Sequence, residues 1–596
     1  MKEAEEKMTG YASIDKPWLK YYSDEAVSAP LPECTVYENI YQHNKDFLSQ
    51  VALEYYGTKI SYKKLFEQVE VCAKALLANG ISQGSIVSIC SSGVPEITYL
   101  LLACSKIGAV ANFINPLFET QQKINRINDT NSTILFVLDK MYSYMKDVIT
   151  NTCVEQIVIV PAVNALPVAI RMIVGLKDKL APDMTTAIKN GNYILWNDFI
   201  KRGKDYHSTI QIQYKKSMSM IMVYSSGTTG ESKGIVLTND GINATITQYE
   251  TAFFSEEKRG DKFLHNVPIW FSTGVSISLL MPLCLGVVCI LEPVFSPESF
   301  LEDIIKYKPN YALVATGLWL YVMEHINEDY NLSFLKCPIT GGEQMLGSTE
   351  ILINDFLKKH NCKAKIQKGW GMCELGATAA TSVFSEYNKL ETVGIPMPLA
   401  VISAFDVDSG NELRYNERGE LRVQTPCKMK EYYNSPDATE EFFKVDLNEN
   451  IWGCTGDVGY VDEDGFVFVL GRASDYFIAQ DNKKYYLFDI ENIILLNNNI
   501  DICEVVTIDS TKYGREILTA HIILKKGFAG DINDLIIELD TMCKEKLPPC
   551  TVPLGYKVRK SFMIKPSGKR DTLSLKNEHE DYLCVIDREV KRISID

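Results

Sequence analysis

Four short runs in the first 160 residues hold almost nothing but apolar side chains: Ser85–Cys90, Ala109–Asn115, Ser132–Leu138 and Gln156–Val160. A strand that is apolar on both sides has to be covered on both faces, and the covering helices come between strands in the sequence. Pro95 to Ile107 reads as such a helix, closed by Gly108. The pattern predicts an α/β fold built on a parallel sheet. Upstream, apolar spacing from Thr35 to Leu77 predicts a helix, a two-strand element over Val51 to Tyr62, and a second helix ending near Gly80. Residues 1 to about 35 carry Tyr, Trp and Pro without periodicity and are expected to wrap the outside of the first domain.

The same texture returns further along. Leu279 to Leu291 reads as a helix running into a strand, Pro297 to Tyr307 as a helix stopped before Pro309, and Tyr311 to Ala315 as a strand. Phe334 to Thr340 leads into Gly341-Gly342-Glu343, and Ser348 to His360 forms another helix. Beyond Gly394 the segments become turn-rich and alternating (Val401–Val407, Gly419–Val423, Gly465–Leu470), as in antiparallel sheets, and small α+β elements follow from about Ser474. Pro161 to Leu180 departs from this texture. It is either a packed helix of an insertion or an interfacial element, and the prolines at 161 and 167 favour packing.

Composition narrows the class. The 596 residues are 46% hydrophobic and 23% charged, and the net charge of −15 has no basic block to offset it, which disfavours nucleic acid as a partner. Sixteen cysteines show no ligand spacing, so no zinc site is expected. Cys90, Cys104, Cys284 and Cys289 lie in apolar runs and read as reduced core residues of a cytoplasmic protein. The charged start has no signal-peptide core, and no apolar stretch reaches membrane-spanning length.

Chemistry concentrates in Tyr224-Ser-Ser-Gly-Thr-Thr-Gly-Glu-Ser-Lys-Gly234, which follows the buried-strand pattern Met218–Tyr224. It precedes a helix that Thr238 or Asn239 can cap and that runs to about Glu250. From Ser225 to Gly234 the loop offers hydroxyls, glycine backbone N–H groups and one lysine, the equipment for cradling a polyphosphate. It is not a Walker loop, because Ser232 stands where the second glycine must be.

The loop resembles the phosphate loop of the adenylate-forming superfamily, the acyl-CoA synthetases, aryl-CoA ligases, luciferases and peptide-synthetase adenylation domains. Relatives carry proline at the position of Ser232. Further motifs follow in the family's order. Gly341-Gly342-Glu343 resembles the turn bordering adenine, and Gly369-Trp370-Gly371-Met372-Cys373-Glu374 resembles the aromatic-Gly-x-Thr-Glu motif. Thr455-Gly456-Asp457, with Arg472, resembles the ribose-binding motif, and Ser567-Gly568-Lys569 the C-terminal lysine motif.

The resemblance implies an α/β fold with a large N-terminal domain over residues 1–472. That domain would hold two parallel-sheet subdomains and a small β-barrel-like subdomain, followed by a small mobile α+β domain over 473–596. It implies that Ser225, Ser226, Gly227, Thr228, Thr229, Gly230 and Lys233 hold the phosphates of ATP. Trp370 would stack on adenine, and Glu374 would bind Mg2+. Asp457 and Arg472 would hold the ribose, Lys569 would bridge substrate carboxylate and α-phosphate, and Ser474 would be the hinge. Thr228, Glu374 and Lys569 are thus the implied catalytic residues. Cys373 replaces the threonine whose hydroxyl touches the α-phosphate in relatives, and a thiol is a poorer donor.

The residues expected to line the acid pocket are Tyr224, Trp270, Phe271, Gly274, Leu318 and Trp319. The stretch Val267–Gly274 has no carboxylate to pair an ammonium, which disfavours a free amino acid. A medium- or long-chain fatty acid is expected first and an aryl acid second, with transfer to CoA. The alternative is an acyl-AMP ligase that loads a carrier protein in trans. It draws support from the segment Gln480-Asp481-Asn482-Lys483-Lys484-Tyr485, which lacks the glycine that CoA ligases usually carry there and is one residue longer.

Overall fold

In the computed structural model the described residues are 8–167, 170–171, 182–189, 191, 193–208, 210, 212–225, 232–253, 258–294, 296–382, 388–446, 449–479, 481–563, 571–578 and 581–594. The chain divides into two compact units, one of residues 1–455 and 460–468, the other of 456–459 and 469–596.

The first unit is built on two large sheets. In one, the order is Glu431–Tyr432, Gly234–Thr238, Ser219–Tyr224, Val110–Phe113, Ile86–Cys90, Ile134–Leu138, Gln156–Val160 and Tyr193–Leu195. All neighbours from Ser219–Tyr224 onward run parallel. Ile134–Leu138 and Val110–Phe113 are buried along their whole length, which is why they read as uninterrupted apolar runs. The second sheet has the order Ile395–Pro396, Ala380–Thr381, Gln367–Trp370, Cys337–Gly341, Tyr311–Val314, Lys262–His265, Val288–Leu291, Val51–Tyr55 and Thr58–Ser61. Its middle strands are parallel and its two ends antiparallel. A smaller antiparallel sheet contains Val401–Phe405, Gly419–Gln424, Ile451–Val461 and Phe443–Val445.

Two elements differ from the sequence expectation. The run after the loop is a strand, Gly234–Thr238, folded back antiparallel on Ser219–Tyr224 so that Tyr224 pairs with Gly234. Its β-branched Ile235 and Val236 suit that pairing, and the Thr238 hydroxyl then accepts the Gly241 N–H (3.0 Å) to cap the helix Asn239–Phe253. Thr273–Leu280 is a π-helix that passes into the short α-helix Met281–Cys284 before the strand Val288–Leu291. The N-terminal residues pack on the turn-rich segments. Trp18 is wholly buried, the Ser13 hydroxyl donates to Glu412 (2.8 Å), and Lys20 pairs with Asp464 (2.8 Å). Most of the Pro161–Leu180 segment lies outside the described residues.

The second unit holds the hairpin Tyr476–Ile478/Lys484–Tyr486 and a five-stranded sheet. The helices Leu487–Ile494 and Ile532–Lys546 cover that sheet through Ile490, Ile494, Ile536 and Leu539. Among the described residues no helix is long and apolar enough to cross a membrane, and no cluster of His, Cys, Asp or Glu could hold a metal ion by itself.

Candidate active site

The phosphate-loop residues Ser226, Gly227, Thr228, Thr229 and Gly230 lie outside the described residues, but the neck of the loop is defined. The Ser225 N–H donates to the Lys233 carbonyl (3.1 Å), and the Lys233 N–H donates to the Ser225 hydroxyl (3.1 Å). Ser232, at the position where relatives carry proline, is buried, and its hydroxyl donates to the Ser225 carbonyl (2.7 Å). A hydrogen bond across the neck thus does what a stiff ring does elsewhere, drawing the two loop ends together.

The two motifs expected to border the nucleotide sit at the ends of neighbouring parallel strands. Gly341 pairs with Gly369 across Cys337–Gly341 and Gln367–Trp370, which brings both motifs to one sheet edge. Glu343 is exposed and accepts the Gly317 N–H (3.4 Å), and Gly342 is likewise exposed. Trp370 is half-buried and pairs with Ala380. Gly371 cannot carry a side chain, because a Cβ there would lie 2.1 Å from the Ala377 carbonyl oxygen. Met372 and Cys373 are half-buried, whereas Glu374 is 6% exposed on the short turn Cys373–Leu375.

Glu374 is braced from a segment to which the sequence reading assigned no role. The Met429 N–H donates to the Glu374 carbonyl (2.7 Å), and the Tyr432 hydroxyl donates to Glu374 Oε1 (2.8 Å). Lys233 Nζ stands 5.1 Å from the centre of the Tyr432 ring. Burial first, then the Glu374 charge, holds the Tyr432 phenol above the usual range, so it stays a donor. No sequence signal singled out this tyrosine, and spacing alone does not connect it to residue 374.

The expected acid-pocket residues fall into two groups. Trp270 and Phe271 are half-buried on the turn that follows Lys262–His265, with ring centres 6.4 Å apart. Gly274 opens the π-helix, and a Cβ there would lie 2.1 Å from the Pro268 carbonyl oxygen. Tyr224, Leu318 and Trp319 belong to the cores. The Tyr224 hydroxyl donates to Asn112 (2.9 Å) beneath the first sheet's helices, and the Trp319 indole donates to the Ile339 carbonyl (3.0 Å). The segment is also more polar than its aromatic turn suggests. His265, Asn266, Ser272, Ser276 and Ser278 are all buried, each with a side-chain atom lacking a hydrogen-bond partner. Burial pushes the His265 imidazole down to about 4, so it is neutral.

In the second unit Arg472 pairs with Asp457 (3.0 Å). Ser474 is exposed and donates to its neighbour Asp475 (3.1 Å), while Lys569 lies outside the described residues. The ends of its segment meet, the Asp571 N–H donating to the Met563 carbonyl (2.8 Å). In the hairpin that lacks glycine, Asn482 takes φ 58°, the left-handed backbone that glycine supplies most cheaply.

The model of the family described as AMP-binding enzyme matches residues 41–433. A long-chain-fatty-acid–CoA ligase of Bacillus subtilis is 25% identical over 558 residues, which is 93% of this chain and 96% of that protein. A probable 4-coumarate–CoA ligase of Dictyostelium discoideum is 26% identical, over 76% of this chain and 80% of the relative. Among solved structures, ATP-bound MatB from Rhodopseudomonas palustris superposes with a TM-score of 0.74 at 18% identity, covering 91% of this chain and 98% of that one. The o-succinylbenzoate CoA synthetase of Bacillus subtilis, in complex with its acyl-adenylate, gives 0.70 at 21% identity, over 92% and 99%. The family match spans most of the chain and includes the loop, the adenine turn and the Glu374 motif: this protein belongs to the AMP-binding enzyme family.

Proposed function

We propose that this enzyme is an AMP-forming acid–CoA ligase acting on an apolar carboxylic acid, with a medium- or long-chain fatty acid the preferred substrate. The observation that carries the reading is Lys233 and Glu374 meeting on either side of Tyr432 in a chain aligned almost end to end with a fatty-acid–CoA ligase. The acid's carboxylate, ionised at neutral pH, attacks the α-phosphorus of ATP in line, and pyrophosphate leaves. The thiol of CoA then attacks the acyl carbon and AMP departs. No protein nucleophile is required.

Each residue has a task in that scheme. Trp370 offers a planar face to the purine, and Lys233 a cation to the phosphates. Asp457 and Arg472 are suited to ribose hydroxyls and the adjoining phosphate. Glu374 fits magnesium in one respect the structure bears on. It is a buried carboxylate, a hard-oxygen donor held by the Tyr432 hydroxyl. This suits an ion that takes one protein carboxylate and otherwise phosphate and water. When bound, that ion offsets the charge on the departing pyrophosphate. Ser474 is the pivot about which residues 473–596 would turn between the two half-reactions, carrying Lys569 to the site for the first.

The buried polar atoms of His265, Asn266 and the π-helix serines favour one second reading, an aryl acid bearing hydrogen-bonding groups. Pyrophosphate release with fatty, aryl and amino acids, each with and without CoA, separates these. A fatty acid turned over to a CoA thioester is the expected result. Turnover confined to hydroxylated aryl acids selects the second reading. Adenylate that CoA does not consume points to a carrier protein as acceptor, and turnover with amino acids alone refutes the acid assignment.

A further inference from the structure

The strand Glu431–Tyr432 is two residues long, yet it ties together both sides of the nucleotide site. Tyr432 pairs with Ile235 and Glu431 with Val236, on the strand that leaves the phosphate loop. The Tyr433 N–H donates to the Gly234 carbonyl (2.7 Å), and the Lys430 N–H to Val236 (2.8 Å). Three residues upstream of Tyr432, Met429 holds the Glu374 backbone. Tyr432 is fixed in turn: its backbone N–H donates to the Thr439 hydroxyl (2.9 Å), and its ring meets Phe442 edge-on at 6.0 Å.

The side chain therefore stands between a cation and an anion. Lys233 lies over the ring, and Glu374 accepts the hydroxyl's charge-assisted hydrogen bond. The two contacts support one another, because a cation over the ring draws electron density from the phenol and makes its O–H a better donor. The ring also separates Lys233 from Glu374. Opposite charges brought together in a part-buried site would attract strongly and neutralise each other, leaving less charge on either for a ligand.

We propose that Tyr432 is a positioning residue for the adenylation step. It aims the Glu374 carboxylate at the magnesium–triphosphate and keeps Lys233 from collapsing onto it. This rests on the ligase reading above. The test measures binding and needs no acid: a non-hydrolysable ATP analogue with a methylene between its α- and β-phosphates is titrated by calorimetry with and without Mg2+. In the wild type, magnesium tightens binding. In Tyr432→Phe the ring and its contact with Lys233 remain, metal-free affinity is unchanged, and the magnesium-dependent gain falls roughly 10- to 100-fold, as expected for a hydrogen bond to a charged group.

Two further variants guard the interpretation. In Glu374→Gln the gain is already lost, and adding Tyr432→Phe changes nothing more. Tyr432→His, a ring with an N–H donor, regains part of it. Full retention of the magnesium effect in Tyr432→Phe overturns the proposal, as does an equal loss with and without Glu374. A loss that merely follows a lowered melting temperature, and that histidine does not reverse, means a structural role and overturns it too. Wild-type protein that binds the analogue without any help from magnesium removes the adenylation reading together with this one.

Discussion

Replacing Glu350 should destabilise the first unit more than any surface change, and a second replacement should repair the damage. Glu350 and Lys368 form an ion pair at 2.8 Å with side-chain exposures of 1% and 7%. Each has one further partner: Lys368 Nζ donates to the Lys389 carbonyl (2.9 Å), and Asn388 donates to Glu350 (2.5 Å). Desolvation, and only then the attraction of Glu350, dominates the environment of Lys368, which holds its ammonium below the usual pKa. The pair is therefore a poor bargain against an apolar one of the same volume, but a broken pair is far worse. Glu350→Gln leaves the ammonium buried opposite a neutral amide and should cost about 3–5 kcal/mol. Glu350→Leu with Lys368→Met should return to within about 1 kcal/mol of the wild type, or exceed it. Urea unfolding followed by tryptophan fluorescence reads this directly, because all six tryptophans (18, 196, 270, 319, 370 and 452) belong to the first unit. Nucleotide binding should survive in the double variant, since the strand of Lys368 is held through its backbone by Ser382 and Thr381. A loss below about 1 kcal/mol for Glu350→Gln, or a double variant as unstable as the sum of its singles, refutes the reasoning.

Three other outcomes are expected. Cys373→Thr supplies a hydroxyl donor where the thiol stands and should raise the rate of adenylate formation about 3- to 10-fold, measured as pyrophosphate release; an unchanged rate would show that residue 373 makes no contact with the reacting phosphate. Gly274→Ala should raise KM for the acid while leaving ATP binding intact, because the new Cβ meets the backbone of Pro268 and Val267 and must displace the Trp270 turn; normal kinetics would mean that this turn does not border the acid. Stability should fall in acid through His265: the unfolded imidazole takes its proton near pH 6.5 and the folded one only at about 4, so between these values the unfolded state binds more protons. The full cost, about 3 kcal/mol, is reached by pH 4, and His265→Gln should remove that slope. Comparing variant with wild type isolates His265 from Glu96, whose carboxyl burial pushes up to about 7 and whose contribution has the opposite sign. An identical acid slope in the variant would assign it to other groups.

Local chemistry in the sequence determined much of this protein. Apolar runs flanked by helical spacing specify strands buried on both faces, so the parallel cores of both sheets and helices such as Pro297–Tyr307 were legible residue by residue. The hydroxyl- and glycine-rich loop, Gly341-Gly342-Glu343, the Trp370–Glu374 motif, Thr455-Gly456-Asp457 and Ser567-Gly568-Lys569 stand in the order of the adenylate-forming superfamily, and that resemblance was enough to state the chemistry. What depended on distant segments meeting was decided only by the tertiary structure. The strand Gly234–Thr238 is defined by its antiparallel pairing with Ser219–Tyr224, and five residues of sequence do not carry that pairing. Leu318 and Trp319 read as pocket residues by their apolar character, and only the packing of their helix shows that both sit in a buried cluster. The π-helix at Thr273–Leu280 is a backbone feature that hydrophobic periodicity does not register. Tyr432, 58 residues from Glu374 in sequence, reaches it through a single hydrogen bond, and only the folded sheet edge puts its hydroxyl there.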